Sequence, residues 1–480
     1  MNAERLIATG TTYNNPVAVT GDYEQRESGT LVFELTSPGW AAQPLGISGR
    51  AYLDGTLELA PLSDWTGTYP LPTPGAQPIL HADGGVFGKF ARWTSPGLFI
   101  EGSIRYGSND VWFDLTRASV AAAMASNGIS SALTLASANN LDRLFVRTDG
   151  LALMAPGART DAQHRMLASA GSVLRIADVA QATRTLNSLS GTTHVDAMQA
   201  SLQQGISDAA TGQRLASMQP GLAAGAWSTS TAAGNTSGFD QWLSSRLLLG
   251  VQAGQGSDQT RDTFGQASRL SPQAGAYLRW FGDDGWYAGG NLGYAQHTLA
   301  LARTRDLGFG GRWNAHARHR FNVAGVQGEA GRRMPLAGGT LTPYVALEAT
   351  ALRSERSIEQ GRTGFELAMQ PAMQAQLGAS LGLRFGRDWR IGDTGWLRLD
   401  ADARVQRRSA DAGDPLRAVF VGVPDLWFDV PSTTNATSGW LDLGLRGGFG
   451  PDWSWSFAHA RPLAGRRAGQ TWSIGLHRGF

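Results

Sequence analysis

From Leu397 the chain alternates strictly: Leu397, Leu399, Ala401, Ala403 and Val405 are apolar or small, and Arg398, Asp400, Asp402, Arg404 and Gln406 are polar. A period of two sends these sets to opposite faces of a β-strand. The pattern returns as Ala375, Leu377, Ala379, Leu381, Leu383 and Phe385 against Gln374, Gln376, Gly378, Ser380, Gly382 and Arg384. It returns again as Leu441, Leu443, Leu445 and Phe449 against Asp442, Gly444, Arg446 and Gly448. A fourth run sets Trp286, Ala288, Leu292 and Tyr294 against Gly289, Asn291 and Gly293, with Tyr287 out of step. Turn signals at Phe281-Gly-Asp-Asp-Gly285 and Phe449-Gly-Pro-Asp452 separate such runs. Marked from about Ala226 to Phe480, they predict roughly twelve strands, within the range of outer-membrane barrels.

The charges decide between a barrel and a soluble sandwich. A packed soluble core would have to pair every charge on the polar face, whereas a barrel lumen accommodates them. The expected fold is therefore mainly β: an antiparallel transmembrane β-barrel of about twelve strands, with Arg398, Asp400, Asp402, Arg404 and Asp442 facing the lumen. Aromatics at strand ends, Trp280, Phe281, Trp286, Trp396, Trp427, Trp453 and Trp455, are expected in the interfacial girdles.

The rest of the chain differs. Trp40, Trp65, Trp93 and Trp112 lie early, no tryptophan falls between Phe113 and Ala226, and the others follow from Trp227. The first zone reads as short strands broken by Gly, Pro and Asp. Gly29-Thr30-Leu31 and Gly55-Thr56-Leu57 are spaced as one coil of a β-solenoid, and Leu98–Tyr106 and Asp110–Thr116 form a hairpin about Gly107-Ser108-Asn109. A small soluble β domain fits this zone alone equally well. The middle zone is rich in Ala, Ser, Gln and Leu and reads as helical. Expected boundaries are 1–116 for the β stub, 117–220 for a helical linker and 221–480 for the barrel.

Composition narrows the function. The chain has 62 glycines, no cysteine, a formal charge of +2 and Lys89 as its one lysine. No basic block suggests nucleic acid, and no thiolate metal site is possible. The first residues, Met-Asn-Ala-Glu-Arg-Leu, lack the charged and apolar regions of a signal peptide. No apolar run reaches the ~18 residues of a membrane helix; Ala118 to Ala136 comes nearest but carries Ser119, Ser126, Asn127, Ser130 and Ser131.

The chain ends Thr471-Trp-Ser-Ile-Gly-Leu-His-Arg-Gly-Phe480, with Trp472, Ile474, Leu476 and terminal Phe480 on one face. Before the barrel, a helix is expected from about Leu189 to Met218, capped by Ser190, Thr192 or Thr193 and stopped by Pro220. Its apolar face is narrow, with Val195, Met198 and Leu202 beside His194. Such a helix suits a polar lumen, and an ordinary packed helix fits the pattern equally.

Several of these segments resemble autotransporters. Leu189-Ser-Gly-Thr-Thr-His194 is similar to the Leu-Ser-Gly-Glu-x-His element before the family's pore helix, with Thr192 in place of Glu. Gly238-Phe-Asp-Gln-Trp242 and Leu247-Leu-Leu-Gly-Val251 resemble its early barrel strands. Val19–Gln25, Ala51–Leu57 and Arg105–Val111 resemble the passenger's end in the subtilisin-type serine peptidase branch. The resemblance implies a translocator of the outer membrane of a Gram-negative bacterium. It also implies a pore helix carrying His194, Val195, Met198 and Leu202, an autochaperone-like stub at the cell surface, and a final strand read as a barrel-assembly signal, where Arg478 stands in place of the family's frequent aromatic. Implied partners are outer-membrane lipids, the barrel-assembly machinery, periplasmic chaperones and the chain's own passenger.

No catalytic chemistry is expected. There is no Gly-x-Ser-x-Gly elbow or Gly-Thr-Ser-Met motif, so the peptidase of that branch is absent and the chain reads as no enzyme, with no cofactor. His297, His316 and His319 form no His-x-x-x-His pair and read as solvated, with no metal site. Asn139-Asn140, far upstream of the pore helix, reads as a loop turn former rather than a self-cleavage site. The alternatives are a plain outer-membrane pore with an accessory domain and a non-exported, truncated remnant.

Overall fold

The computed structural model describes residues 5–8, 17–35, 45–61, 78–95, 97–206, 211–212, 214–215, 218, 220–231, 234–261, 265–308, 311–336, 338–392, 395–409, 412–431, 437–449, 453–462 and 471–478. Its first part is a parallel β-solenoid of three faces. Ala18–Val19, Leu45–Ile47 and Leu80–Ala82 stack on one face, and Tyr23–Glu24, Ala51–Leu53 and Val86–Gly88 on the second. Arg5–Ala8, Thr30–Leu35, Thr56–Pro61 and Arg92–Thr94 stack on the third. The two Gly-Thr-Leu segments lie side by side, Thr30 against Thr56 and Leu31 against Leu57. Gly55 takes φ +67, and a Cβ there would run into the Gly29 carbonyl oxygen of the coil below, so this corner requires glycine.

Leu31, Leu45, Ile47, Leu57 and Leu80 fill the solenoid's core. Gln25 is buried among them and crosses the coils: its Nε2 donates to the carbonyls of Gly29, Asp54 and Thr56, while its Oε1 accepts from the Tyr23 hydroxyl. The antiparallel hairpin Ile100–Tyr106 and Asp110–Arg117 closes the stack by pairing with Leu80–Ala82.

Five helices follow among the described residues, α1 (Val120–Ser126), α2 (Ala132–Leu153), α3 (Asp161–Leu174), α4 (Val179–Leu189) and α5 (Thr192–Gln204), and 211–212 and 214–215 are helical again. The first four are capped by Ser119, Ser131, Thr160 and Asp178, each accepting from a backbone N–H of the first turn. Asn139 and Asn140 lie inside α2, not in a loop. The helix expected to run on to Met218 breaks twice. Gly191 (φ +77) separates α4 from α5, and Gly205 (φ +54) ends α5 well before Pro220.

The barrel strands are β1 (Ala226–Thr231), β2 (Gly234–Ser244), β3 (Leu247–Arg261), β4 (Gly265–Phe281), β5 (Trp286–Asp306) and β6 (Arg312–Arg332). They continue as β7 (Gly339–Ser354), β8 (Met373–Ile391), β9 (Gly395–Arg408), β10 (Thr437–Phe449), β11 (Trp453–Pro462) and β12 (Thr471–Arg478). Each pairs antiparallel with the next, and β1 and β12 come back beside each other, with Cα atoms within 8 Å. The alternation sorts as the sequence predicts: Leu292, Val326, Leu347, Leu377, Leu381, Val405 and Leu443 are exposed on the outer face, while Gln374, Gln376 and Gln406 are buried inside. Tyr287, out of step in the pattern, turns inward and donates to Glu329.

Short turns lie at one end and two long connections, 355–372 and 409–436, at the other, which marks the outer end. The long connections meet each other in a small sheet of Ser357–Ile358, Leu367–Met369, Arg417–Phe420 and Phe428–Asp429. Trp427 belongs to this outer cap rather than to a girdle, with its carbonyl accepting from Arg143 of α2. Phe281 also departs from the girdle, facing inward at 5% exposure against Arg279 and Arg333. Trp280 and Trp286 do face outward beside the turn between β4 and β5. The Phe449–Asp452 turn signal lies partly outside the described residues, as does Phe480.

β5 and β6 each run 21 residues, about twice what a bilayer needs. Along them the polarity inverts. In the half near the turns, Leu292, Tyr294 and Val326 point out, whereas in the outer half Leu299, Leu301, Ala317 and Phe321 point in and His316, Arg318 and Arg320 point out. The inward apolar set packs on α2 to α5 and on Phe365, Leu367, Phe420 and Phe428 of the long connections, forming the largest core of the molecule. The solenoid hairpin joins the same body through Phe99 and through Leu98 N–H, which donates to the Ile176 carbonyl.

Replacing Gln25 by Ala leaves buried carbonyls of two coils without a donor, a loss of about 1–3 kcal/mol. Limited proteolysis should then cut within the solenoid at lower protease concentration, while the barrel keeps its heat-dependent gel mobility. Unchanged proteolysis would contradict the cross-coil role.

Candidate functional site

The barrel lumen is occupied by the chain itself. α5 touches β5, β6, β7 and β8. Thr193, His194, Val195, Ala197, Met198, Gln199, Ser201 and Leu202 are all buried, so both its polar and apolar sides meet protein. The Ser190 hydroxyl accepts from Thr192 N–H at 3.3 Å at its start, and the Gly205 N–H donates to Ser201 at its end. Gln199 donates to Gln374 of β8 at 3.2 Å. Beyond the helix, Ile206 sits against Gly293 and Gly325, where an added Cβ would come within 3.3 Å and 3.1 Å of its side chain. Small residues in the wall thus make room for the linker.

At the outer mouth α5 is latched by a buried charge cluster. The Glu359 carboxylate, from the connection after β7, accepts from both forks of Arg303 on β5, at 2.7 Å each. It also accepts from His194 Nε2 at 2.7 Å and from the Leu367 N–H at 2.8 Å. Arg303 donates in turn to the Ser188 carbonyl of α4, so one guanidinium ties strand, loop and helix. Beside it Arg305 pairs with Glu366 at 2.9 Å and donates to Thr363 at 2.9 Å. Glu359, Arg303 and His194 are sealed from water.

This cluster lies above the outward apolar band. Burial alone would raise the Glu359 carboxyl, but Arg303 and His194 outweigh it and hold it well below the usual carboxylate range. Burial pushes the His194 imidazole down; Glu359 opposes this, and Arg303 and Arg305 reinforce it. His194 is then neutral, with Nε2–H donating to Glu359 and Nδ1 accepting from His319 Nε2 at 2.7 Å.

The linker is tied again near the short-turn end. Arg214 forms a two-pronged pair with Asp240 of β2 at 2.8 and 2.9 Å, and Arg333 donates to the Met218 carbonyl at 3.1 Å. Around it the wall charges neutralise one another. Arg384 bridges Glu329 and Asp402, and Tyr344 donates to Asp402. Arg398 and Arg446 share Asp400, and Arg404 faces Asp442 at 3.7 Å.

The structure therefore brings His194, Val195, Met198 and Leu202 together in the lumen, and places Arg398, Asp400, Asp402, Arg404 and Asp442 in the wall network rather than on the helix. Trp472, Ile474 and Leu476 lie apart on β12, opposite His459, Phe457 and Trp455, with Ile474 exposed at 70%. His297 and His319, expected to be solvated, are buried, because their positions point inward under the helical cap; His316 is exposed. Sequence reasoning missed Glu359, Arg303 and Glu366. The available signal was Arg303 and Arg305 continuing the inward register of Leu299 and Leu301, two charges in an apolar row. Among the described residues no group of acidic and histidine side chains is arranged to hold a metal.

An autotransporter β-domain family model matches residues 216–458, just over half of the chain. The chain belongs to the autotransporter family. It is an outer-membrane translocator unit, and this β-domain is not an enzymatic module. The match does not reach 19–111, on which the resemblance to the subtilisin-type branch rests. The structure is similar to the translocator domain of the autotransporter NalP from Neisseria meningitidis at 17% identity, covering 61% of this chain and 98% of that one, with a TM-score of 0.44. It is similar to the β domain of the Bordetella autotransporter BrkA at 18% identity, covering 53% and 98%, with a TM-score of 0.39. The transport unit of AIDA-I from Escherichia coli matches at 11% identity over 61% and 98%, with a TM-score of 0.25. A search of curated protein sequences gives no match.

The latch of this autotransporter should weaken in acid. Below the ordinary histidine value of ~6.5 the unfolded chain takes up a proton that native His194 refuses. Below the ordinary carboxylate value of ~4.3 the unfolded chain neutralises a group that native Glu359 keeps charged. Both contributions are present at neutral pH and decline as pH falls. Hydrogen exchange of α5 amides in the folded protein, normalised to the slower intrinsic rate at lower pH, should therefore quicken from pH 7.5 to 5. Glu359→Gln, which strands Arg303 without its partner at a cost of about 3–5 kcal/mol, should quicken it already at pH 7.5. Equal protection in the variant would contradict the latch.

Proposed function

We propose that this translocator rests in a closed arrangement reached after export. The linker from α5 to Met218 stays in the lumen, α1 to α4 and the two long connections cap the outer mouth, and the solenoid stands at the cell surface as the autochaperone-like end of the passenger. The observation carrying this reading is that the linker is fastened at both ends of the lumen, by Glu359 and Arg303 at the mouth and by Asp240 and Arg333 at the other side. A translocator with a mobile linker would need neither fastening.

In this reading the passenger crosses in extended form, and folding outside supplies the drive, since the sequence has no P-loop. The solenoid suits that task because each coil templates the next through parallel pairing and a continuous core. The sequence carries no serine peptidase motif, so its role is transport and display rather than cleavage. The C-terminal segment that carries Trp472, Ile474, Leu476 and Phe480 would be the element offered to the barrel-assembly machinery after periplasmic chaperones release it.

Deleting residues 192–218 should raise single-channel conductance in a planar bilayer several-fold over the full chain, while heat-modifiable mobility of the barrel is kept. Equal conductance from both proteins, each folded by that criterion, would favour a plain pore with an accessory domain.

A further inference from the structure

The solenoid reaches the latch through a short run of contacts. Leu98, just before the hairpin, donates its N–H to the Ile176 carbonyl at 2.8 Å, and a Cβ on Gly97 would run into the Leu174 carbonyl oxygen. The segment after α3 is thus pressed against the solenoid's end. The same Ile176 lies against Gly308, beyond the outer end of β5, where an added Cβ would come within 2.5 Å of its Cγ1. Two residues before that glycine, the Asp306 N–H donates to the Ser188 hydroxyl at 3.1 Å, and the Ser188 carbonyl is the group that Arg303 of the latch holds. Each of these links joins elements far apart in sequence.

The elements of the cap cannot hold this arrangement singly. α1 has 7 residues and α4 has 11, below the ~12–15 at which an isolated helix becomes even marginal in water. They fold because one core includes them. Phe99 of the solenoid's end, 1% exposed, belongs to the same buried cluster as Val120 of α1, Phe145 of α2, Leu186 of α4 and Met198 of α5. Arg117, the last residue of the hairpin, adds a charge pair with Asp149 of α2 and lies over the Phe145 ring at 4.9 Å. This core also keeps water from Arg303 and Glu359, and an ion pair that water reaches loses most of its hold. Segments that share a core open together.

We propose that the folded end of the solenoid controls the latch: its docking completes the core that keeps Arg303 and Glu359 dry, so that α5 is fixed in the lumen only once the solenoid has folded outside. A latch that closed earlier would block the lumen to a passenger still in transit. The inference rests on the closed-lumen reading and adds the condition under which closure occurs.

The test is hydrogen exchange of α5 amides at pH 7.5 in the full chain, with folding of the barrel checked by heat-modifiable mobility. Phe99→Ala, which takes the solenoid's side chain out of the shared core, should quicken exchange by about tenfold or more. Arg117→Ala, a milder change at the same junction, should quicken it several-fold. In a Glu359→Gln background, where the latch is already broken, Phe99→Ala should add little, because both changes act through one element. Wild-type exchange rates in both Phe99→Ala and Arg117→Ala would overturn the proposal. Effects of Phe99→Ala and Glu359→Gln that multiply in the double variant would also overturn it, since the two would then loosen α5 independently. Rapid exchange of α5 in the wild type would overturn the closed-lumen reading and the proposal with it, whereas the other two results overturn the proposal alone.

Discussion

A sheet that closes with its apolar face outward must put its polar face inside, and where the inside is filled by protein and shut off from water, each polar group there needs a partner. That constraint organises this molecule. The wall satisfies part of it alone, through Arg384 with Glu329 and Asp402 and through Asp400 with Arg398 and Arg446. Part of the remaining demand is met by the linker, whose Gln199, Arg214 and His194 find partners on Gln374, Asp240 and Glu359. A narrow apolar stripe, which would make a poor helix against an ordinary apolar neighbour, is the right composition for a helix surrounded by such a wall.

The second organising fact is where the membrane stops. Strands β5 and β6 continue well past it, and there the solvent changes sides: water lies outside, and the helical cap fills the inside. Leu299, Leu301 and Phe321 therefore turn inward to a core shared by helices and long connections, while arginine moves to the outer face. The latch sits in that shared core. A buried pair such as Arg303 with Glu359 contributes more to the choice of one arrangement than to net stability, since apolar packing could replace it. Its value lies in holding strand, loop and helix in one register.

The barrel was legible because a period of two with charges on one face has few other meanings, as in Leu397 to Gln406. The solenoid was partly legible through Gly29-Thr30-Leu31 and Gly55-Thr56-Leu57, whose register the structure reproduces. The features that stayed hidden depend on contacts between residues far apart in sequence. Nothing local marks Glu359 as the partner of Arg303 and His194, 56 and 165 residues away. The histidines misread as solvated and Phe281 misread as interfacial failed for one reason: strand alternation gives a face only once the register of the whole strand is known. Trp427 failed for another, since a long connection that folds into a cap has no strand end to decorate. The helix expected to reach Met218 was interrupted at Gly205, whose positive φ angle breaks it, although described residues 211–212 and 214–215 are helical again.

The central claim is that the linker helix fills the lumen of the folded chain. The protein has no cysteine, so a single Ser201→Cys variant reports on one buried position of α5, and Ser126→Cys on the exposed end of α1. Labelled with a membrane-impermeant maleimide in the folded state, the cysteine at 126 should react at once and the cysteine at 201 only after heating. Equal rates at both positions before heating would place α5 in water and contradict the account.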